Sequence, residues 1–157
     1  MNENFSSFEK ELNESGKLIY TNVGVSMLPL IRENRDVMVI EKLSGAPKKL
    51  QVVLFKRNGI EGRGKYVVHR ILKIRKDGKY FIAGDNCTEG ELVAKENILG
   101  VLSAVFRDGK KINLQGFKYK VYVRFWCAPY RLRFLLLRLK RGVKYFFSAV
   151  RYKLFGK

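Results

Sequence analysis

Between Leu18 and Leu114 the apolar residues come in short runs rich in β-branched and aromatic side chains: Val37 to Ile40, Gln51 to Phe55, Tyr66 to Ile74, Tyr80 to Ala83 and Ile98 to Phe106. Runs of this length and composition predict strands. The dipeptides Asn58-Gly59, Asp77-Gly78 and Asp108-Gly109 fall between or after them. Asn, Asp and Gly adopt positive φ at low cost, so these pairs predict tight hairpins and mostly antiparallel neighbours. The expected fold is mainly β, a coiled antiparallel sheet or barrel-like domain.

The pattern changes on either side. Residues 5 to 14 suit a short helix, because Ser6 and Glu9 have capping-box spacing and Phe5, Phe8 and Leu12 fall on one side. Past Pro129, a plausible break, Leu132, Leu135, Leu136, Leu139, Val143, Phe146, Val150 and Leu154 follow the spacing of an amphipathic helix. Arg133, Lys140, Arg141, Lys144 and Arg151 fall away from that stripe. The chain thus divides into a lead-in (1–17), a β domain (18–114) and a tail (115–157), with no internal repeat or low-complexity segment.

Charge sharpens the division. The formal net charge is +18, and no Asp or Glu follows Asp108 while Lys and Arg continue to Lys157. The excess belongs to the tail and favours an anionic partner. Two cysteines without a short spacing and a single histidine assemble neither a disulfide framework nor a zinc set, and free thiols are expected. No cofactor or metal is implied. The first 17 residues lack the basic start and apolar run of a secretory signal. Nothing reaches the ~18 apolar residues of a spanning helix. The expectation is a soluble or surface-bound cytoplasmic protein.

Three segments carry candidate chemistry. In Gly24-Val25-Ser26-Met27-Leu28-Pro29 the flanking Gly and Pro disfavour regular helix or central strand around the serine, which suits a hydroxyl at an exposed rim beside free backbone N–H groups. A serine needs an adjacent base. The only histidine, His69, lies in Tyr66-Val67-Val68-His69-Arg70-Ile71-Leu72, and an imidazole accepts a proton near neutral pH; the competing reading is an inert strand histidine. In Ala83-Gly84-Asp85-Asn86, Asp85 has two readings, an orienter of the imidazole or an ordinary turn residue.

The order Gly-x-Ser-Met-x-Pro, a base followed by Arg and an aliphatic residue, then Gly-Asp-Asn resembles the catalytic core of type I signal peptidases, a superfamily shared with the self-cleaving SOS repressors. Gly24, Ser26, Met27 and Pro29 match the nucleophile box; Asp36, Val37 and Val39 the strand after it; His69, Arg70 and Ile71 the base segment; Gly84, Asp85 and Asn86 the last box. The similarity covers roughly residues 16 to 107. A histidine at the base position is similar to the archaeal, endoplasmic-reticulum and sporulation-associated forms. The resemblance implies a Ser26/His69 endopeptidase acting on a peptide or protein precursor, with Asp85 assisting and Gly24, Met27 and Pro29 shaping the oxyanion and substrate site. It departs from the family in lacking a transmembrane helix before the nucleophile box. That departure favours a cytoplasm-facing peptidase over removal of export signals, and leaves room for a membrane-protein partner.

The tail interleaves twelve aromatics between Phe117 and Phe155 with Lys and Arg. A helix with an apolar stripe, a basic face and interfacial aromatics suits the plane of an anionic bilayer, contacted by Trp126, Leu135, Leu136, Leu139, Arg138, Lys140 and Arg141. Two alternatives stand beside this: nucleic-acid binding by the same charges and rings, and docking of the stripe onto the β domain. The rival to the enzyme as a whole is a catalytically inactive binding module of the same fold whose tail recruits lipid or nucleic acid.

Overall fold

The computed structural model describes residues 7–21, 23–60 and 65–155. Eight strands form one antiparallel sheet: β1 (Lys17–Thr21), β2 (Asp36–Lys42), β3 (Val52–Lys56), β4 (Tyr66–Ile74), β5 (Tyr80–Ala83), β6 (Glu91–Val93), β7 (Ile98–Arg107) and β8 (Lys110–Lys111). Their spatial order is β1-β2-β7-β3-β4-β5-β6, with β8 paired to β7. The path runs from β1 to β6 without closing, so it is a sheet and not a complete barrel. The five expected strands match β2, β3, β4, β5 and β7 within two residues at each end. Short β1, β6 and β8 were not anticipated, because two to five residues rich in Lys, Glu and Thr carry almost no pattern of their own.

The Asp-Gly pairs take the backbone their sequence allows, whereas the tight hairpin expected at Asn58-Gly59 does not form, because β3 ends at Lys56 and β4 begins only at Tyr66. Gly59 and Gly78 have φ of 72° and 78°, and Asp108 and Gly109 have 51° and 75°. The last pair sits between β7 and β8, whose register runs Phe106 to Lys111 and Arg107 to Lys110. Two consecutive positive φ values give the mirror-image turn that matches strand twist.

Central strand β3 is buried on both faces and separates two apolar clusters. Val52 and Leu54 join Leu12, Leu18, Met27, Ile31, Met38, Ile40 and Val105 on one side, whereas Val53 and Phe55 join Ile71, Tyr80, Ile82 and Ile98 on the other. Period-two alternation sends successive side chains to opposite faces and so builds both.

Helix α1 (Ser7–Ser15) covers the first cluster. Leu12 is buried, Phe8 packs its ring against Tyr20 and Tyr66, and Glu9 accepts a hydrogen bond from the Tyr66 hydroxyl at 2.6 Å and pairs with Lys56 at 2.8 Å. Ser6 and Phe5, the other expected contributors, lie outside the described residues.

After β8 the chain forms α2 (Phe117–Tyr122), a π-helical turn (Val123–Cys127) and the 26-residue α3 (Tyr130–Phe155). Pro129 marks the break before α3: Ala128 N–H reaches back five residues to Val123 O, and Arg133 N–H bonds Pro129 O. The apolar stripe does not dock on the sheet. Leu132, Leu135, Leu136, Leu139, Val143 and Phe146 are all exposed, and among the described residues the buried side chains of α3 are Arg133 and Leu137. The docking alternative is therefore corrected: the helix meets the domain through its opposite face. Val150 and Leu154 have side chains outside the described set. Among the described residues no helix is long and apolar enough to cross a membrane.

Candidate active site

The nucleophile segment is the turn that follows β1. Gly24 has a φ of 112°, a conformation open to glycine, and its N–H donates to Glu33 Oε1 at 2.7 Å. Met27 and Ile31 are fully buried and pin the turn from below, while Ser26 stays half-buried at the surface. Behind the turn Asp36, at zero exposure, accepts Arg32 N–H at 2.9 Å and Arg107 Nε at 2.8 Å. Arg107 in turn donates to Leu30 O at 3.0 Å. Burial pushes the Asp36 carboxyl up, but the Arg107 guanidinium and the Arg32 N–H outweigh it and hold its pKa below the ordinary range. Hydrogen bonds within the turn run from Leu28 N–H to Val25 O and from Ile31 N–H to Met27 O. Neither bond uses the N–H of Ser26 or Met27, the groups an oxyanion site here would draw on. The Met27 side chain itself is buried, so its backbone alone is on offer. Pro29 is exposed and, with Leu30, Ile112, Tyr119 and Tyr122, borders a separate apolar cavity of about 570 Å³.

His69 lies on β4 opposite Val53 of β3, and its ring is 6.2 Å from that of Phe55. Gly84, the residue after β5, joins it to the nucleophile turn. A Cβ at position 84 would lie 2.4 Å from Ser26 O, 2.8 Å from Cys87 Sγ and 3.0 Å from His69 Nε2. The Ser26 backbone and Nε2 thus approach each other across a single glycine α-carbon, where any larger residue would separate them. Asn86 ties the two loops together: its N–H donates to Ser26 O at 2.8 Å and its Nδ2 to Val25 O at 3.1 Å.

Asp85 does not sit on the far nitrogen of the imidazole, and the orienter role expected of it is corrected. Its carboxylate is fully buried and taken up by other donors: Arg70 through Nε (2.9 Å) and Nη2 (2.7 Å), Arg133 Nη1 (3.3 Å) and the Tyr122 hydroxyl (2.8 Å). The reason is the strand period. His69 and Arg70 are neighbours whose side chains leave β4 on opposite faces, and Asp85 lies on the Arg70 side.

His69 Nδ1 is buried and has no hydrogen-bond partner among the described residues, with Glu91 Oε1 4.0 Å away. Arg57 grips Glu91 through Nε (2.7 Å) and Nη2 (2.5 Å). Arg57, His69, Cys87, Glu91 and Arg141 line a cleft of about 390 Å³. Burial lowers the His69 pKa to about 4; Arg57 adds to the fall, and Glu91 and Asp85 oppose it. The imidazole is therefore neutral at pH 7, the form that accepts a proton. Burial also pushes the Cys87 thiol up, which keeps it protonated in the cleft it shares with the imidazole. Both cysteines are free, as expected. Sequence reasoning missed Glu91, Arg57 and Cys87, and the three-residue strand that carries Glu91 left no signal to find them.

The tail also meets this site. Of the residues expected at the membrane, Trp126 Nε1 donates to Asp85 O (3.2 Å), Arg138 Nη2 to Thr88 O (3.0 Å), and Arg141 to Asn86 O (2.8 Å) and Thr88 Oγ1 (3.3 Å). Leu135, Leu136, Leu139 and Lys140 face solvent.

No protein-family model matches the chain, and no curated protein matches it.

Proposed function

We propose that this chain is a serine endopeptidase of the signal-peptidase type, cleaving a peptide or protein precursor at a membrane surface. The observation that carries the reading is the convergence of His69 Nε2 and the Ser26 backbone on Gly84. Ser26 Oγ attacks the scissile carbonyl while Nε2 takes its proton, and the N–H groups of Ser26 and Met27 receive the oxyanion. The tetrahedral species collapses to an ester on Ser26 as Nε2 returns the proton to the leaving amine. Water, deprotonated by the same nitrogen, then releases the acid and restores the hydroxyl. Glu91, on the Nδ1 side, is the carboxylate positioned to steady the imidazolium that forms in between. Among the described residues strand β1 pairs with β2 at one end of the sheet and precedes the nucleophile turn. An extended substrate adding as a strand beside the sheet near this turn would deliver a peptide bond toward Ser26. The solvent-facing leucines of α3 support the surface location.

One observation favours the alternative of an inactive binding module. A base with a pKa near 4 and no hydrogen bond at Nδ1 is weakly basic. An acyl-directed serine probe discriminates between the two. Labelling at Ser26 that disappears in His69→Ala supports the peptidase; a folded protein that stays unlabelled over the pH range 5 to 9 excludes it.

A further inference from the structure

Helix α3 presents two different faces to two different environments. On the inner face Arg133 donates to Gly84 O (3.2 Å) and Asp85 Oδ1 (3.3 Å), Arg138 to Thr88 O, and Arg141 to Asn86 O and Thr88 Oγ1. Three arginines of one helix thus bond four of the five residues from Gly84 to Thr88, the same loop whose Asn86 holds the backbone of Ser26. Leu137 is the only buried apolar side chain among the described residues of this helix.

The outer face is exposed among the described residues. At 100° per residue Leu132, Leu135, Leu136, Leu139, Val143 and Phe146 fall on the side away from Arg133, Leu137 and Arg141. From Arg138 to Tyr152 every described side chain is exposed, with Phe146 at 63% and Phe147 at 65%. Lys140 borders the stripe on one side and Arg131 on the other, Lys144 and Arg151 lie further round the helix, and the helix contains no acidic residue. An apolar stripe bordered on this scale by cations, with nothing anionic to repel lipid headgroups, fits an anionic bilayer.

We infer that an anionic bilayer docking on the outer face of α3 tightens the Gly84–Thr88 loop through the arginines of the inner face, so that the lipid surface regulates the Ser26/His69 site. The inference rests on the proposed peptidase for its consequence, but the coupling itself needs no catalysis. Helix formation is cooperative, and a helix with an uncovered apolar face frays in water. Covering Leu139 to Phe147 stabilises the turns that begin at Arg133, and those turns hold the loop. By linkage, lipid favours the clamped loop as much as the clamped loop favours lipid.

The test is hydrogen exchange of the full chain, with and without vesicles of equal parts phosphatidylcholine and phosphatidylglycerol. The amides of Asn86 and Cys87, which donate to Ser26 O and Gly84 O, report the loop directly. Their exchange is expected to slow about tenfold on the mixed vesicles, and not on phosphatidylcholine alone. The double substitution R138K/R141K keeps the charge but loses the planar guanidinium donors. It is expected to bind the mixed vesicles while losing the slowing. Vesicle binding that leaves both amides unchanged overturns the coupling. Failure to bind vesicles, or binding of a single-stranded oligonucleotide in their place, overturns the lipid assignment. If Ser26 resists the serine probe but the amides are protected, the peptidase reading fails and the coupling stands.

Discussion

The guanidinium of Arg70 and the carboxylate of Asp85 meet in an ion pair with no solvent exposure on either side, Nη2 2.7 Å from Oδ2. Arg70 also donates to Leu50 O at 2.7 Å and to the Tyr119 hydroxyl at 3.2 Å, and Arg133 supplies a second cation to the same carboxylate. Asp85 is thereby the point at which the sheet, α2 and α3 are fastened together. It orders the Gly84–Asn86 loop from beneath and leaves the Nδ1 side of His69 to Glu91.

Asp85→Asn leaves two buried guanidinium groups without their counter-charge, which is expected to lower stability by about 3–5 kcal/mol. Urea unfolding followed by tryptophan fluorescence reads this, because the single tryptophan, Trp126, bonds the Asp85 carbonyl. A variant as stable as the parent that still loses serine-probe labelling would return Asp85 to the triad.

The His69 pKa is about 4 in the folded chain against ~6.5 when unfolded. The unfolded state therefore binds the proton first, and stability falls as pH drops from about 6.5 toward 4, by up to about 3 kcal/mol. His69→Gln removes this component, so its stability should decline less steeply over that window. Parallel curves for the two proteins would show that His69 is not buried in the neutral form.

Arg57 and Glu91 act on His69 in opposite directions. Arg57→Gln should raise the His69 pKa and Glu91→Gln should lower it. Because the chain has one histidine, its imidazole proton resonance titrates without ambiguity. Probe labelling of Ser26 should follow the same order along its acid limb. A Glu91→Gln variant with unchanged titration and labelling rate would remove Glu91 from the site.

Gly84→Ala inserts a methyl 2.4 Å from Ser26 O and 3.0 Å from His69 Nε2. Backbone oxygen cannot rotate away as a side chain would, so the two loops must part. Labelling of Ser26 is expected to fall by about a hundredfold, with about 1–3 kcal/mol of destabilisation. Ala tolerated at parental labelling rates would mean that Ser26 and His69 do not need this close approach.

The sequence by itself determined the elements whose pattern is local. Alternating Val, Ile and Phe drew the five longer strands, the two Asp-Gly pairs marked the β4–β5 and β7–β8 turns, and Pro129 with the leucine spacing drew α3. It also brought out Ser26 and His69, because Gly, Pro and a lone histidine are conspicuous in any context. What only the tertiary structure decided depends on residues distant in the chain. Whether Asp85 faces His69 or Arg70 turns on the register of β4 against β5, in which a shift of one residue would exchange the two faces. Glu91 acquires its place beside the imidazole from a three-residue strand held by its neighbour β5. Arg133 reads as one more cation of a solvated face, yet it is buried, because a carboxylate 48 residues earlier in the chain waits on the surface where α3 lands. A charge becomes an anchor only when folding brings its counter-charge to it, and sequence spacing carries no record of that meeting.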